Sequence, residues 1–315
     1  MKTLMFPGQG SQSVGMGADL YKNFELVKKI FKQADEKLNF HLSKIILDGP
    51  ENELKLTKNT QPAIMTLSFS IYKLIVEEFG IDIKDIKYFC GHSLGEYSAL
   101  CASGVISLRD SAIILRKRGL AMQKAVPEGE GSMIAVIGMN SQFVNELITL
   151  RKCDRELIQV ANDNDPSQVV VSGERKEIQK FSAFLREEKA KRIINLPVSA
   201  PFHSPLMQPA ALVMEAELNQ MNFSKPTVPI IQNVDLSILE TTEGLVDRLV
   251  KQICGTVRWR ESLIKMVEES SVNTFFEIGP GKVLAGTVKR TTPQSKAFSV
   301  GVSTQIEDAM EIINE

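Results

Sequence analysis

The chain has 315 residues, 43% hydrophobic and 24% charged, with a formal net charge of -1. That balance suits a globular chain with apolar mass for one large core or two unequal ones, and it lacks the basic excess of a nucleic-acid binder. No apolar run nears the roughly 20 residues needed to cross a bilayer, and Pro7 and Gly8 interrupt the N-terminus before a signal-peptide core could form.

In chain order, "TLMF" (3–6) predicts a short strand that runs into the turn-rich "PGQGSQ" (7–12). "TQPAIMTLSFSIYKLIVEEFG" (60–80) predicts a helix with Pro62 in its first turn and Gly80 at its end. "IKYFC" (86–90) reads as a buried strand, and "EYSALCAS" (96–103) as a helix closed by Gly104. A further helix spans 107–126, with Ser107 as N-cap and Pro127 just beyond. Strands alternating with helices argue for α/β layers around a mostly parallel sheet.

The middle of the chain changes character. Strand patterns at 132–139, 157–162, 168–173 and 191–199 enclose helical patterns at 141–153 and 175–189. The order β-α-β-β-α-β is that of the ferredoxin-like split βαβ unit. It predicts an inserted subdomain at 128–198 within a larger α/β domain made of 1–127 and 199–315. The alternative is that these strands extend one large sheet.

Cys90, Cys101, Cys153 and Cys254 form no CxxC pair and read as reduced thiols of a cytoplasmic protein. Three scattered histidines, His41, His92 and His203, predict no metal site. Gly91-His92-Ser93-Leu94-Gly95 is a GxSxG run between a strand and a helix, the setting of a nucleophile elbow. Small flanking residues let so sharp a turn close, and the new helix aims free N–H groups where an oxyanion would form. The competing reading is a tight turn with a solvated serine. A nucleophilic serine needs a base. His92 is its chain neighbour and would point away, and His41 sits in an ordinary amphipathic segment. His203, in the proline-bracketed loop "PVSAPFHSPLM", is the candidate left, unless it is a core or surface histidine. Asp110, Asp154, Asp163 and Asp165 lie between serine and base, and none has the setting of a triad acid.

Six segments in order carry a resemblance: "FPGQGSQ" (6–12), "TQPA" (60–63), "GHSLGEYSAL" (91–100), "RG" followed by "MQKAVPEG" (118–129), "PVSAPFHSPLM" (197–207) and "EIGPGKVL" (277–284). Together they resemble the malonyl-CoA:acyl-carrier-protein transacylases of bacterial type II fatty-acid synthesis, over essentially the whole chain. The resemblance implies a hydrolase-like α/β core with a ferredoxin-like insert. It implies Ser93 as nucleophile and His203 as base, the histidine oriented by the backbone carbonyl of Gln252 instead of an aspartate. The backbone N–H groups of Gln9 and Leu94 would form the oxyanion hole, and Arg118 would hold the malonyl carboxylate through paired hydrogen bonds. Gln61, His92 and Phe202 would line the substrate site, Phe202 and Leu94 in the pattern of malonyl rather than methylmalonyl selection.

The implied reaction moves malonyl from malonyl-CoA to Ser93, then to the phosphopantetheine thiol of acyl carrier protein. It uses no metal or dissociable cofactor and implies a cytoplasmic monomer. Lys189, Lys191, Arg192, Lys289 and Arg290 are candidate contacts for an acidic carrier protein, or else ordinary solvated charges. Rival readings are an acyltransferase serving a polyketide synthase, a serine thioesterase or esterase with no use for Arg118, and a non-enzymatic carrier-binding scaffold.

Overall fold

The computed structural model describes residues 1–198 and 200–314. Its strands, in chain order, are β1 (Lys2–Phe6), β2 (Ile86–Gly91), β3 (Gly131–Ile137), β4 (Ile158–Asp165), β5 (Gln168–Glu174), β6 (Arg192–Asn195), β7 (Ile230–Ile231), β8 (Ile238–Leu239), β9 (Thr274–Ile278) and β10 (Lys296–Val300). They fall into two sheets, ordered β10-β9-β1-β2-β7-β8 and β4-β5-β3-β6.

The first sheet is parallel except for the terminal β7–β8 pair. Its central strands are apolar and buried over most of their length because helices cover both faces. Side chains alternate across a strand, so one face receives Leu4, Phe6, Phe89 and Phe276 while the other receives Met5, Tyr88, Cys90 and Phe275. β1 sits between β2 and β9, which puts its C-terminal end and the loop after it at the middle of the sheet's upper edge.

The second sheet is antiparallel throughout, in the order of a ferredoxin-like unit. Ile134, Val136, Val169 and Val171 pack on helices Ser141–Leu150 and Arg175–Glu187. Met133, Ala135 and Val170, on the opposite face, join the main core. The four middle strands therefore form a sheet of their own instead of extending the first. The fold is a hydrolase-like α/β core carrying a ferredoxin-like insert.

Several boundaries depart from the expected ones. The helix predicted at 60–80 is α-helical from Thr57 to Lys73 and continues as a π turn, Leu74–Glu78. The amides of Asn59 and Thr60 close on Leu56 O at 2.7 and 2.9 Å, so the first turn forms early and Pro62 lies inside the helix. β4 runs on to Asp165 because Asp165 Oδ1 accepts from Ser167 N at 2.9 Å, folding the turn onto Pro166 and Ser167. The strand expected at 191–199 pairs only over Arg192–Asn195; residue 199 lies outside the described residues.

Candidate active site

β2 ends at Gly91, and helix Leu94–Ala102 starts three residues later. Ser93 between them has φ 53° and ψ -108°, a region non-glycine residues rarely enter, and close packing holds it there. A Cβ on Gly91 would lie 2.0 Å from the backbone of Gly95, and one on Gly95 would lie 2.1 Å from Phe6 O. The two glycines thus let the elbow close on itself and on the end of β1. Gly95→Ala should lower stability by about 3 kcal/mol, measured as a fall in the urea midpoint.

The loop after the second sheet carries His203, also at positive φ (55°) and only 3% exposed. Its Nε2 lies 2.8 Å from Ser93 Oγ, and its Nδ1 lies 2.7 Å from the backbone oxygen of Gln252. A carbonyl only accepts, so Nδ1 carries the proton and Nε2 is free to receive one from Ser93. Burial, followed by the nearby Arg118 charge, pushes His203 down to about 3, so the imidazole is neutral at physiological pH. The four aspartates are engaged elsewhere. Asp163 pairs with Arg260 (3.0 and 3.1 Å) and Asp165 with Arg290 (2.8 Å). Asp110 accepts from Ser107 Oγ at 2.7 Å, and Asp154 from Glu156 N at 3.0 Å.

Arg118, on helix Leu108–Lys124, is 1% exposed. Its Nη1 donates to Gln61 Oε1 at 2.9 Å, and its Nη2 to Gln252 Oε1 at 2.8 Å and Ser93 Oγ at 3.2 Å. The guanidinium lies over the Tyr97 ring, 5.4 Å from its centroid, and burial lowers its pKa. Periodicity could not separate Arg118 from Arg116 and Lys117. The structure does, since Arg116 donates to Asn59 and Lys117 pairs with Glu217.

A cavity of about 220 Å³ opens over these groups, between the two sheets. Gln9, Gln61, His92, Ser93, Leu94, Arg118, Phe202 and His203 all line it, and Met133, Ala135 and Val170 supply an apolar wall. The N–H groups of Gln9 and Leu94 donate to no protein group among the described residues. His92 turns away from the serine, as expected: Nε2 meets Asn164 Oδ1 at 2.9 Å and the ring packs edge-on against Trp259. His41 stays apart, 89% exposed. Among the described residues no group of three or more His, Cys, Asp or Glu could hold a metal ion, and no helix is long and apolar enough to cross a membrane. Of the five candidate docking cations, Arg290 is committed to the buried Asp165 and so pins helix Val283–Thr291 to β4.

The sequence profile of the acyl transferase domain matches residues 3–310. The chain belongs to this family. The malonyl CoA-acyl carrier protein transacylase of Bacillus subtilis is 41% identical over 311 residues, 99% of this chain and 96% of that one. The crystal structure of an acyl-carrier-protein S-malonyltransferase from Bartonella henselae superposes with a TM-score of 0.95 at 44% identity, over 100% of this chain and 99% of its own. A holo complex of a type II polyketide acyl carrier protein with its malonyl-transacylase matches at TM-score 0.94 and 36% identity, over 99% of each chain.

Around its elbow this acyltransferase has a polar network that the sequence reading missed. Asn233, two residues past β7, accepts from Ser93 N at 2.8 Å and donates to Gly91 O at 2.8 Å, bracing the elbow from both sides. Glu96, in the first turn of the elbow helix, accepts from Gln252 Nε2 at 2.8 Å and Asn233 N at 3.1 Å. Burial drives the Glu96 carboxyl up to about 7 despite those bonds. The available signals were an acid directly after the elbow in an otherwise apolar helix, and a polar pair "QN" closing the run "PII" at a strand's carboxyl end.

Proposed function

We propose that this acyltransferase carries malonyl from malonyl-CoA to the phosphopantetheine thiol of acyl carrier protein through a malonyl ester on Ser93. The observation that carries the reading is the buried guanidinium of Arg118, whose Nη2 lies 3.2 Å from Ser93 Oγ at the cavity floor. In a malonyl ester the free carboxylate sits only one methylene beyond the ester carbon. A cation that close to the nucleophile can hold it through charge-assisted bonds. A thioesterase for neutral acyl chains would gain nothing from a buried, positively charged floor.

His203 takes the Ser93 proton as Oγ attacks the thioester carbonyl. The carbonyl oxygen becomes an oxyanion facing the N–H groups of Gln9 and Leu94. Collapse breaks the C–S bond, and His203 returns the proton to the departing CoA sulfur. The second half repeats these steps in reverse order: the carrier thiol gives its proton to His203, attacks the ester, and Ser93 leaves. The base, the first nucleophile and the oxyanion donors come from the chain and the second nucleophile is the carrier thiol, so the scheme calls on no metal or dissociable cofactor. Residues 1–127 with 199–315 would supply the catalytic machinery, and 128–198 the apolar wall opposite it. Family likeness also supports a cytoplasmic monomer.

The acceptor we favour is the carrier of fatty-acid synthesis; the likeness to the polyketide complex supports a polyketide carrier as second reading. The deciding assay supplies malonyl-CoA with holo or apo carrier protein of each kind. Malonyl should appear on the holo carrier far faster than free malonate appears. Free malonate as the main product would make the enzyme a thioesterase.

A further inference from the structure

Arg118 is a buried cation, yet its three bonds run to neutral acceptors, Gln61 Oε1, Ser93 Oγ and Gln252 Oε1. The carboxyl that can balance it lies one residue further on. Gln252 Oε1 takes Arg118 Nη2 at 2.8 Å while Gln252 Nε2 donates to Glu96 Oε2 at 2.8 Å. An amide can be turned end for end, and only its surroundings decide which end faces where. Here Nε2 meets acceptors alone: Glu96 Oε2, Ser93 O at 3.0 Å and Asn233 Oδ1 at 3.4 Å. Glu96 is 1% exposed, is absent from the cavity lining and takes two further donors, Asn233 N and Gln232 Nε2. A carboxylate buried at that cost needs a reason to be there.

We propose that Glu96 is a positioning residue for substrate choice: through the Gln252 amide it holds Arg118 in the pose that receives a malonyl carboxylate. This rests on the reading of Arg118 as the malonyl clamp. In its ionised form Glu96 can only accept, and as the shortest of the Nε2 contacts it biases Gln252 to offer Oε1 to the guanidinium. A neutral amide at 96 could donate instead, and Gln252 could then turn its own donors toward Arg118. The guanidinium would lose its acceptor and leave the pose. The His203 anchor would be less affected, because it uses the Gln252 backbone oxygen.

The experiment follows Ser93 acylation by intact-protein mass spectrometry, with malonyl-CoA and acetyl-CoA in parallel. The malonyl-to-acetyl rate ratio should fall at least about tenfold in Glu96→Gln and by a similar factor in Gln252→Met, with little further loss in the double variant, since both act on one path. A purely structural role would slow both substrates in step; an unchanged ratio in Glu96→Gln overturns the proposal. If Glu96→Gln does not fold, an unchanged ratio in Gln252→Met overturns it equally. Arg118→Ala separates the two levels. If it too leaves the ratio unchanged, the clamp reading fails; if it alone lowers the ratio, only the role of Glu96 fails.

Discussion

Ser93→Ala should carry no malonyl adduct after mixing with malonyl-CoA and should lose about 10,000-fold or more in transfer rate, the scale seen when a nucleophile is deleted from an activated serine site. The fold should survive. Alanine keeps the Cβ that Ser93 already places on this turn, and the braces from Asn233 use backbone atoms of Gly91 and Ser93. What is lost is one acceptor for Arg118 and the partner of His203 Nε2. Intact-protein mass spectrometry on both proteins is the measurement. One adduct on the parent and none on the variant makes Ser93 the acylated atom's residue. An adduct persisting in the variant would move the nucleophile elsewhere. No adduct on either protein would remove the two-step scheme.

Much of this site was legible because its demands are local. A strand, a glycine-flanked serine and a helix fix an elbow within about ten residues. Three histidines left one candidate base, and the structure puts it 2.8 Å from the serine. The ferredoxin-like insert was readable because its strands alternate two faces, one against its own helices and one toward the cavity. What escaped was long-range or short. β7 and β8 are two residues each, too brief for any periodicity. Pro62 suggests a first turn, but Leu56 O captures the amides of Asn59 and Thr60 upstream of it. Asn233 reaches the elbow across 140 residues of chain, and Gln252 reaches Glu96 across 156. Spacing in sequence holds no information about such contacts. The motif resemblance pointed to the Gln252 backbone but not to its side chain, which proves the more connected of the two.

Arg118→Ala should lower kcat/KM for malonyl-CoA by about a hundredfold or more, the cost of leaving a buried carboxylate without its charged partner. Acetyl-CoA has no carboxylate to lose and should react relatively better, so the malonyl-to-acetyl ratio carries the result. An unchanged ratio would take Arg118 out of the substrate site. The same variant should move the pH profile. His203 is held near 3 first by burial and then by the Arg118 charge, with His92 a smaller influence, so deleting the Arg118 charge removes the second of these causes and lets its pKa rise. A base works only when unprotonated, so the acid limb of kcat/KM should shift to higher pH. Stability has its own sign. In the parent the unfolded chain protonates His203 as pH falls below its ordinary 6.5 while the folded chain does not until about 3, so this contribution is lost on acidification through that window. The variant, with His203 less depressed, should lose less there. The Glu96 carboxyl moves in the same direction as His203. Arg118 is one of the influences lowering its pKa, so without it the carboxyl rises further above about 7 and stays protonated at neutral pH. Removing the cation thus lets its distant counter-ion go neutral, and no buried charge is left uncompensated. That is the physical reason to expect a folded variant whose defect lies in substrate choice, and a malonyl carboxylate bound to Arg118 in the parent should likewise ease the depression of His203, strengthening the base only when the right substrate is in place.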